Sequence, residues 1–222
     1  QHWDERFGMA QPQAVQRPIW IHAVSVGETR AAQPVIAALQ ARFPNAPLLL
    51  TQMTPTGRAT AEALYPHAQC RYLPYDHPAY VAQFMREHQP LLGIIMETEI
   101  WPNLLHAAHA AKIPMFLANA RLSARSQRGY QKVKRLVAPA LATLQTTFAQ
   151  TEADAQRLAS IGAVNIQVSG NSKYDIEPPA PMHALAEQFR QRIGTRPVVV
   201  CASTRTDDAG QDEAALLLAA WR

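Results

Sequence analysis

Two carboxylates, Glu97 and Glu99, follow an apolar run at 91–96 that predicts a buried parallel strand. They stand at its C-terminal edge, where open α/β sheets keep their ligand crevice. A third acid repeats the arrangement: the run 19–24 predicts a strand, and Ser25-Val26-Gly27-Glu28 turns into a helix over 28–41, so Glu28 occupies the first helical turn and faces the same crevice. The helix dipole favours an ionised carboxylate there by about 0.3–1 kcal/mol, and such a group in a crevice serves as a general base. The position equally suits an acid that only decorates the helix terminus. Gly27, where a larger side chain would obstruct a ligand, favours a site. Glu99 likewise suits a cap for the helix that Pro102 opens, but Trp101 beside two acids makes a surface suited to sugars.

Groups that attract anions lie elsewhere in the chain. Thr54-Pro55-Thr56-Gly57-Arg58 opens a helix with hydroxyls, backbone N–H groups and a guanidinium, and is also a good N-cap. Arg121, Arg125, Arg128, Lys132 and Arg135 share one face if 124–142 is a single helix, and no Asp or Glu occurs between positions 100 and 151. Cations that repel one another without compensation suggest an anionic partner: phosphorylated lipid headgroups, a membrane surface or nucleic acid. Lys173 and Ser203-Thr204-Arg205 would lie at a cleft between two α/β domains, the latter as a phosphate cradle in outline or simply as a helix cap.

The elements that must position these residues follow a βαβα rhythm. Strands are expected at 19–24, 47–51, 71–73, 91–96, 113–117, 147–149, 166–168 and 198–201. Helices are expected at 28–41, 56–65, 78–88, 102–111, 124–142, 152–161, 181–193 and 208–221. This predicts an α/β fold with a parallel sheet covered on both faces. The prolines after Gly170 predict an interdomain linker over 171–181. Residues 1–170 then form one Rossmann-like domain and 182–222 the start of a second, which cannot close a sheet alone.

The chain has 222 residues, 48 % of them apolar, and a formal charge of +4. No apolar run approaches the ~20 residues of a membrane span, and the first residues resemble neither a signal peptide nor a start methionine, so an excised piece is expected. Cys70 and Cys201 sit in or beside apolar segments and are expected as reduced core thiols. There is no GxGxxG, Walker loop, CxxC pair or HExxH, which argues against a dinucleotide oxidoreductase, a P-loop NTPase and a zinc site, and no metal or cofactor is expected.

Four motifs in order, His22-Ala23-Val24-Ser25-Val26-Gly27-Glu28, Glu97-Thr98-Glu99-Ile100-Trp101-Pro102-Asn103, Asn119-Ala120-Arg121-Leu122-Ser123 with Arg125-Ser126, and Gly170-Asn171-Ser172-Lys173-Tyr174-Asp175, resemble those of 3-deoxy-D-manno-octulosonic acid (Kdo) transferases. The resemblance implies a GT-B glycosyltransferase that moves Kdo from CMP-Kdo to a lipid A precursor on the cytoplasmic face of a bacterial inner membrane. It implies Glu28 as the base that deprotonates the acceptor hydroxyl, with Glu97 and Glu99 positioning the sugars. Ser25, Gly27, Arg58, Trp101, Asn119, Arg121, Arg125 and Lys173 join the substrate site, and Ser203, Thr204 and Arg205 the donor site. The implied partners are donor, acceptor and an anionic membrane surface, with no nucleic acid.

The sequence departs from the family pattern at three places. A membrane anchor expected before Gln1 and most of a donor domain expected after Arg222 are not in the chain. Thr204-Arg205-Thr206-Asp207-Asp208-Ala209-Gly210 replaces the usual short Thr-His/Arg-Glu-Gly-Glu turn. Two rival readings stand beside the transferase: a non-catalytic module that binds anionic lipid, and a GT-B enzyme using another nucleotide sugar.

Overall fold

The computed structural model describes residues 2–9, 17–176, 178, 180–206, 210 and 212–221, and divides the chain into two compact units, Gln1–Ile176 and Glu177–Arg222. The first unit is built on seven parallel strands: β1 (Ile19–His22), β2 (Leu48–Gln52), β3 (Gln69–Tyr72), β4 (Leu92–Met96), β5 (Met115–Ala120), β6 (Thr146–Ala149) and β7 (Ile166–Val168). Their order in the sheet is β3-β2-β1-β4-β5-β6-β7. The chain therefore winds outward from β1 in one direction and from β4 in the other. The boundary between these neighbours is the topological switch point of a doubly wound sheet.

Period-2 alternation in each strand divides the core. Trp20 packs with Leu49, Ile95, Met115 and Leu117 on one face. Ile19 and Ile21 pack with Leu50, Ile94 and Met96 on the other. Gly93 of β4 makes room for this core: a Cβ there would lie 2.6 Å from Cε3 of Trp20 and press on Sδ of Met115.

The first unit also contains the helices α1 (Trp3–Arg6), α2 (Val26–Ala31), α3 (Gln33–Arg42), α4 (Pro55–Leu64), α5 (Pro78–His88), α6 (Pro102–Ala110), α7 (Ala124–Lys132), α8 (Lys134–Leu141) and α9 (Glu152–Ser160). Two expected long helices are each broken in two. The helix expected over 28–41 separates at Ala32, where Pro34, in the first turn of α3, has no N–H to continue the ladder. The one expected over 124–142 breaks at Val133, whose N–H bonds to the Tyr130 carbonyl and whose own carbonyl accepts from Leu136, both tight i to i−3 contacts.

Helix α1 has no counterpart in the sequence reading, since a single turn is held by tertiary contacts rather than by propensity. Its buried Glu5 accepts from Nη1 of Arg58 and from the Tyr72 N–H, both at 2.8 Å.

The first unit runs through Ile176 rather than ending at Gly170. A 3₁₀ turn, Ser172–Asp175, docks on it: the Ser172 hydroxyl donates to the Ala31 carbonyl at 2.9 Å and its N–H to Oδ1 of Asn119 at 3.1 Å. The expected linker residues 171–176 are thus part of the first unit.

The second unit contains α10 (Ala180–Ile193) and α11 (Glu213–Ala220), with an isolated antiparallel bridge between Thr206 and Asp212. The strand expected at 198–201 is absent among the described residues. A strand needs a neighbour for its ladder, and the described residues of this unit offer none, so Val198, Val199 and Val200 lie exposed. Part of the expected start of the last helix, including 208 and 209, lies outside the described residues. Both cysteines are free as expected, but only Cys70 is buried; Cys201 is exposed.

Replacing Gly93 by Ala should overpack the contact between Trp20 and Met115 and destabilise the first unit by about 1–3 kcal/mol. Urea denaturation followed by Trp fluorescence checks this; an unchanged midpoint would contradict the packing described.

Candidate functional site

The site lies at the switch point, at the C-terminal ends of β1 and β4. After β1 the chain leaves the sheet at Ala23 and Val24 and enters α2 at Ser25, with Glu28 in the first turn. Both carboxylate oxygens are held locally: Oε2 accepts from the Val24 N–H at 2.8 Å and Oε1 from the Ser25 hydroxyl at 2.9 Å. Ser25-Val26-Gly27-Glu28 is thus a variant of the capping box. The Val24 carbonyl accepts from the N–H groups of Met53 and Thr54 and from the Thr54 hydroxyl. Gly57 lets α4 come this close, for a Cβ there would stand 2.9 Å from the Val24 carbonyl oxygen.

After β4 the backbone turns sharply. Glu97 has φ of 56°, in the left-handed region that costs a non-glycine residue strain. Its carboxylate meets Nζ of Lys173 at 3.1 Å and Nε of Arg121 at 3.5 Å. Glu99 accepts from the Trp101 indole N–H at 2.9 Å. The Thr98 hydroxyl donates to the Arg121 carbonyl, which joins this turn to the end of β5. There Asn119 has φ of 54° beside a register shift against β6, a bulge that re-aims the strand end.

Glu28, Glu97, Thr98, Glu99, Arg121, Ser123, Ser126, Gln150 and Asp154 line one open cavity of about 520 Å³. Burial raises the Glu28 carboxyl above its ordinary pKa of 4.5, and the nearby charges of Glu99 and Glu97 push the same way, while the bonds from Val24 and Ser25 oppose the rise. Glu99 is raised for the same first reason, with Glu97 adding to it and the Trp101 bond opposing. The helix dipole expected to hold Glu28 ionised is therefore outweighed by desolvation. The result is a more basic carboxylate, better matched to proton abstraction near neutral pH.

Other expected site residues fall into place around the cavity or away from it. The Ser25 hydroxyl bonds to Glu28, and Gly27 is exposed, where a Cβ would stand 4.0 Å from the Ser25 hydroxyl oxygen. Trp101 does not line the cavity; it packs against the core with its N–H on Glu99 and its ring edge-on to His22. Asn119 supports the Ser172 turn that brings Lys173 to Glu97. Arg58 lies outside the cavity lining, its guanidinium held by Glu5 at 2.8 Å and Glu62 at 2.9 Å.

The five-cation stripe does not exist as one face: Arg121 precedes α7 and turns to Glu97, while Arg135 lies in α8 beyond the break. Arg125 is exposed on α7 and does not line the cavity. Ser203, Thr204 and Arg205 belong to the second unit, where Ser203 has φ of 62° and the Arg205 N–H donates to Glu213. Among the described residues no three His, Cys, Asp or Glu side chains converge as metal ligands.

Sequence reasoning missed two supporting residues. Asp154, buried on α9, accepts from the Leu122 N–H at 2.9 Å and from Arg157 at 3.1 Å, fixing the loop that carries Arg121. Thr151-Glu152-Ala153-Asp154 gave the signal, since Thr151 caps the helix that carries it. His22, wholly buried under Trp101, shares the Thr51 hydroxyl with Trp20 and is pushed down to about 4 by burial, so it is neutral at neutral pH.

A sequence model of the family described as "3-Deoxy-D-manno-octulosonic-acid transferase (kdotransferase)" matches residues 1–176. The chain belongs to the Kdo transferase family. It is 42 % identical over 206 residues to the 3-deoxy-D-manno-octulosonic acid transferase of Bordetella pertussis, covering 90 % of this chain and 47 % of that protein. It is 36 % identical to the one of Haemophilus influenzae, covering 94 % and 50 %. The chain thus spans about half the length of these curated relatives. The motif resemblance to Kdo transferases is upheld over the first unit.

Among solved structures, the UDP-GlcNAc 2-epimerase of Neisseria meningitidis bound to UDP-GlcNAc aligns with TM-score 0.53 at 17 % identity, over 84 % of this chain and 56 % of that one. Another UDP-N-acetylglucosamine 2-epimerase aligns with TM-score 0.54 at 13 % identity, over 81 % and 61 %. These likenesses concern the fold, a GT-B-type Rossmann-like α/β architecture.

Burial pushes Asp154 up, but the Thr151 hydroxyl, the Leu122 N–H and Arg157 together outweigh it and hold the carboxyl below its ordinary 3.8. A depressed carboxylate adds stability above its unfolded pKa and loses it as pH falls through the folded one. Asp154→Ala should therefore unfold more easily than the parent at pH 7, by about 1–3 kcal/mol, and the gap should close below pH 3.8. Thermal melts across pH test this; a gap that persists unchanged in acid would refute the linkage.

Proposed function

We propose that the first unit is the acceptor half of a glycosyltransferase that moves Kdo from CMP-Kdo to a lipid A precursor, with Glu28 as general base. The observation that carries this reading is the Glu28 carboxylate: held by two local donors, raised in basicity by burial, and lining an open cavity at the switch point. Membership of the Kdo transferase family supports the choice of sugar and donor.

In the proposed step an acceptor hydroxyl enters the cavity and hydrogen-bonds to Glu28. Its oxygen attacks the anomeric carbon of Kdo while its proton passes to the carboxylate. The new C–O bond forms as the bond from that carbon to the CMP phosphate breaks, and CMP leaves with the electron pair. Glu97 and Glu99 accept hydrogen bonds from the sugars. Arg121 and Lys173, which already meet Glu97, hold that acid in place.

The donor phosphate contact is assigned to Ser203, Thr204 and Arg205 in the second unit, read as the start of a donor domain. The proposed place of work is the cytoplasmic face of the bacterial inner membrane. Among the described residues no helix is long and apolar enough to cross a membrane, so this reading rests on the lipid nature of the acceptor.

A second reading, a non-catalytic module for anionic lipid, draws on the exposed cations of α7 and α8. Glu28→Gln separates the two, because it keeps the size of the side chain and removes the base. Measured as Kdo transfer in a full-length protein containing this segment, the rate should fall about 10²–10⁴-fold with acceptor binding retained. The acid limb of the parent's pH–rate profile should lie above the ordinary glutamate pKa of 4.5 and vanish in the variant. Undiminished turnover would remove Glu28 from the mechanism and favour the binding module.

A further inference from the structure

The helices of the first unit cover the two faces of its sheet unequally. On the face that carries Ile21, helical residues join the core from α2, α3 and α4, as Ala31, Ile36 and Ala61 do, and among the described residues none joins it from α5 to α9. Beyond α3, the strands β4, β5 and β6 instead border an open cavity of about 400 Å³. Its walls are apolar: Val35 and Leu39 of α3, Leu92 of β4, Phe116 and Ala118 of β5, and Phe148 of β6.

The polar part of the lining gathers at the C-terminal edge of the sheet, where Asn119 stands near the end of β5 and Ser169, Ser172 and Asp175 follow β7. Asn119 is only 4 % exposed. Its Oδ1 accepts from the Ser172 N–H at 3.1 Å, which fixes the orientation of the amide, and its Nδ2, withdrawn from water, has no hydrogen-bond partner among the described residues. A buried donor without an acceptor is destabilising, and an occupant that supplies the acceptor relieves it. No cation lines the cavity, and its one charged residue, the exposed Asp175, is acidic. The lining therefore suits an uncharged apolar body that carries a hydrogen-bond acceptor, and disfavours a phosphate or a carboxylate.

The Ser172–Asp175 turn also reaches the carboxylates. Ser172 and Asp175 line the apolar cavity, while Lys173 between them meets Glu97 at 3.1 Å and the Ser172 hydroxyl bonds the carbonyl of Ala31, on the helix that bears Glu28.

We infer that this cavity takes an acyl chain of the acceptor glycolipid, with the ester or amide carbonyl at the head of the chain accepting from Nδ2 of Asn119. The lipid nature of the acceptor is taken from the glycosyl-transfer reading above, on which this assignment rests; the cavity adds where the chain lies. The sugar that carries the chain would then present its hydroxyls across the turn toward Glu28. A helix from another protein segment would match the apolar walls but not the waiting donor, because helix carbonyls are bonded within the helix. A free fatty acid would bring its own charge to Asp175. An acyl ester or amide brings a carbonyl and no charge.

The test compares two short glycolipids below their micellar concentrations: a decanoyl ester of glucose, whose chain begins at a carbonyl, and decyl glucoside, whose chain begins at an ether oxygen, a weaker acceptor. Binding to the 222-residue chain is measured by titration calorimetry. The ester should bind about three- to tenfold more tightly than the ether, and glucose alone should not bind. Ala118→Met places a larger side chain on the cavity wall and should weaken binding of both glycolipids roughly tenfold. Asn119→Asp keeps the acceptor for Ser172 and replaces Nδ2 by an oxygen, so the preference for the ester should vanish. An unchanged urea midpoint certifies the fold of each variant.

On the parent chain, which needs no substitution, a photoreactive diazirine at the end of the decanoyl chain should label residues within 35–39, 116–118 or 148. Equal affinities for ester and ether, labels outside the cavity, or binding undiminished in Ala118→Met would each overturn the inference. So would binding by the 222-residue chain that is lost in a full-length protein containing it, which would assign the cavity to a further segment of that protein. Binding needs no donor sugar and should persist in Glu28→Gln. Its failure therefore leaves the base assignment standing, and undiminished turnover of Glu28→Gln with labels still in the cavity would remove only the base.

Discussion

Three carboxylates at the meeting of two strand ends set the terms for the first unit. Glu28, Glu97 and Glu99 are partly withdrawn from water and close enough for their charges to oppose one another. Such groups remain in place only if donors are supplied from the surrounding backbone and side chains. Val24 N–H and the Ser25 hydroxyl serve Glu28, Lys173 and Arg121 serve Glu97, and the Trp101 indole serves Glu99. The donors come from four separate parts of the chain, so the cluster needs the β1 and β4 termini, the loop after β5 and the Ser172–Asp175 turn to be in register together. The close packing of Gly57 against Val24 and the anchoring of Leu122 by Asp154 serve this one requirement.

The same arrangement raises the basicity of Glu28. A carboxylate exposed to bulk water near its ordinary pKa is a weak base, and one tightly paired with a cation is weaker still. Glu28 avoids both conditions: its partners are a neutral amide and a hydroxyl, and the cations nearby are directed to Glu97 instead. Lys173 and Arg121 thereby neutralise the neighbour without lowering the basicity of Glu28 by direct contact.

The sheet of the first unit was legible because seven apolar runs of β-forming residues alternate with helical segments, and each became a strand within a few residues of its expected place. Placing Glu28 and Glu97 at one crevice followed from knowing that parallel strands present their C-terminal ends together. What escaped depended on contacts remote in sequence. Arg58, with its hydroxyl-rich turn, matched an anion site; its actual partners, Glu5 and Glu62, include one held on a single-turn helix that no local signal specifies. Pro34 did mark the break in the helix after Glu28, and its missing N–H was a readable sign. The break at Val133 arises from a local tightening of hydrogen bonds that composition does not encode, and with it went the idea of one uninterrupted cationic face. The run at 198–201 had strand composition, but a ladder needs a neighbour that the described residues of the second unit do not provide.

Charge in the cavity also constrains how an acceptor could approach. Among the described residues that line it, Glu28, Glu97, Glu99 and Asp154 are acidic and Arg121 is basic. A phosphate pushed into this space would face the like charge of several carboxylates, whereas a sugar hydroxyl brings no net charge and donates to them. The exposed cations lie on the outer face of α7 and at the break before α8, away from the carboxylates. On the proposed reading, an acceptor carrying both hydroxyls and phosphates is sorted by this separation: its alcohol is drawn toward Glu28 and its phosphates are left at the rim. On the same reading, the segregation of acid and base along one loop and helix, rather than any single pair, would orient a polyanionic glycolipid for attack through one hydroxyl.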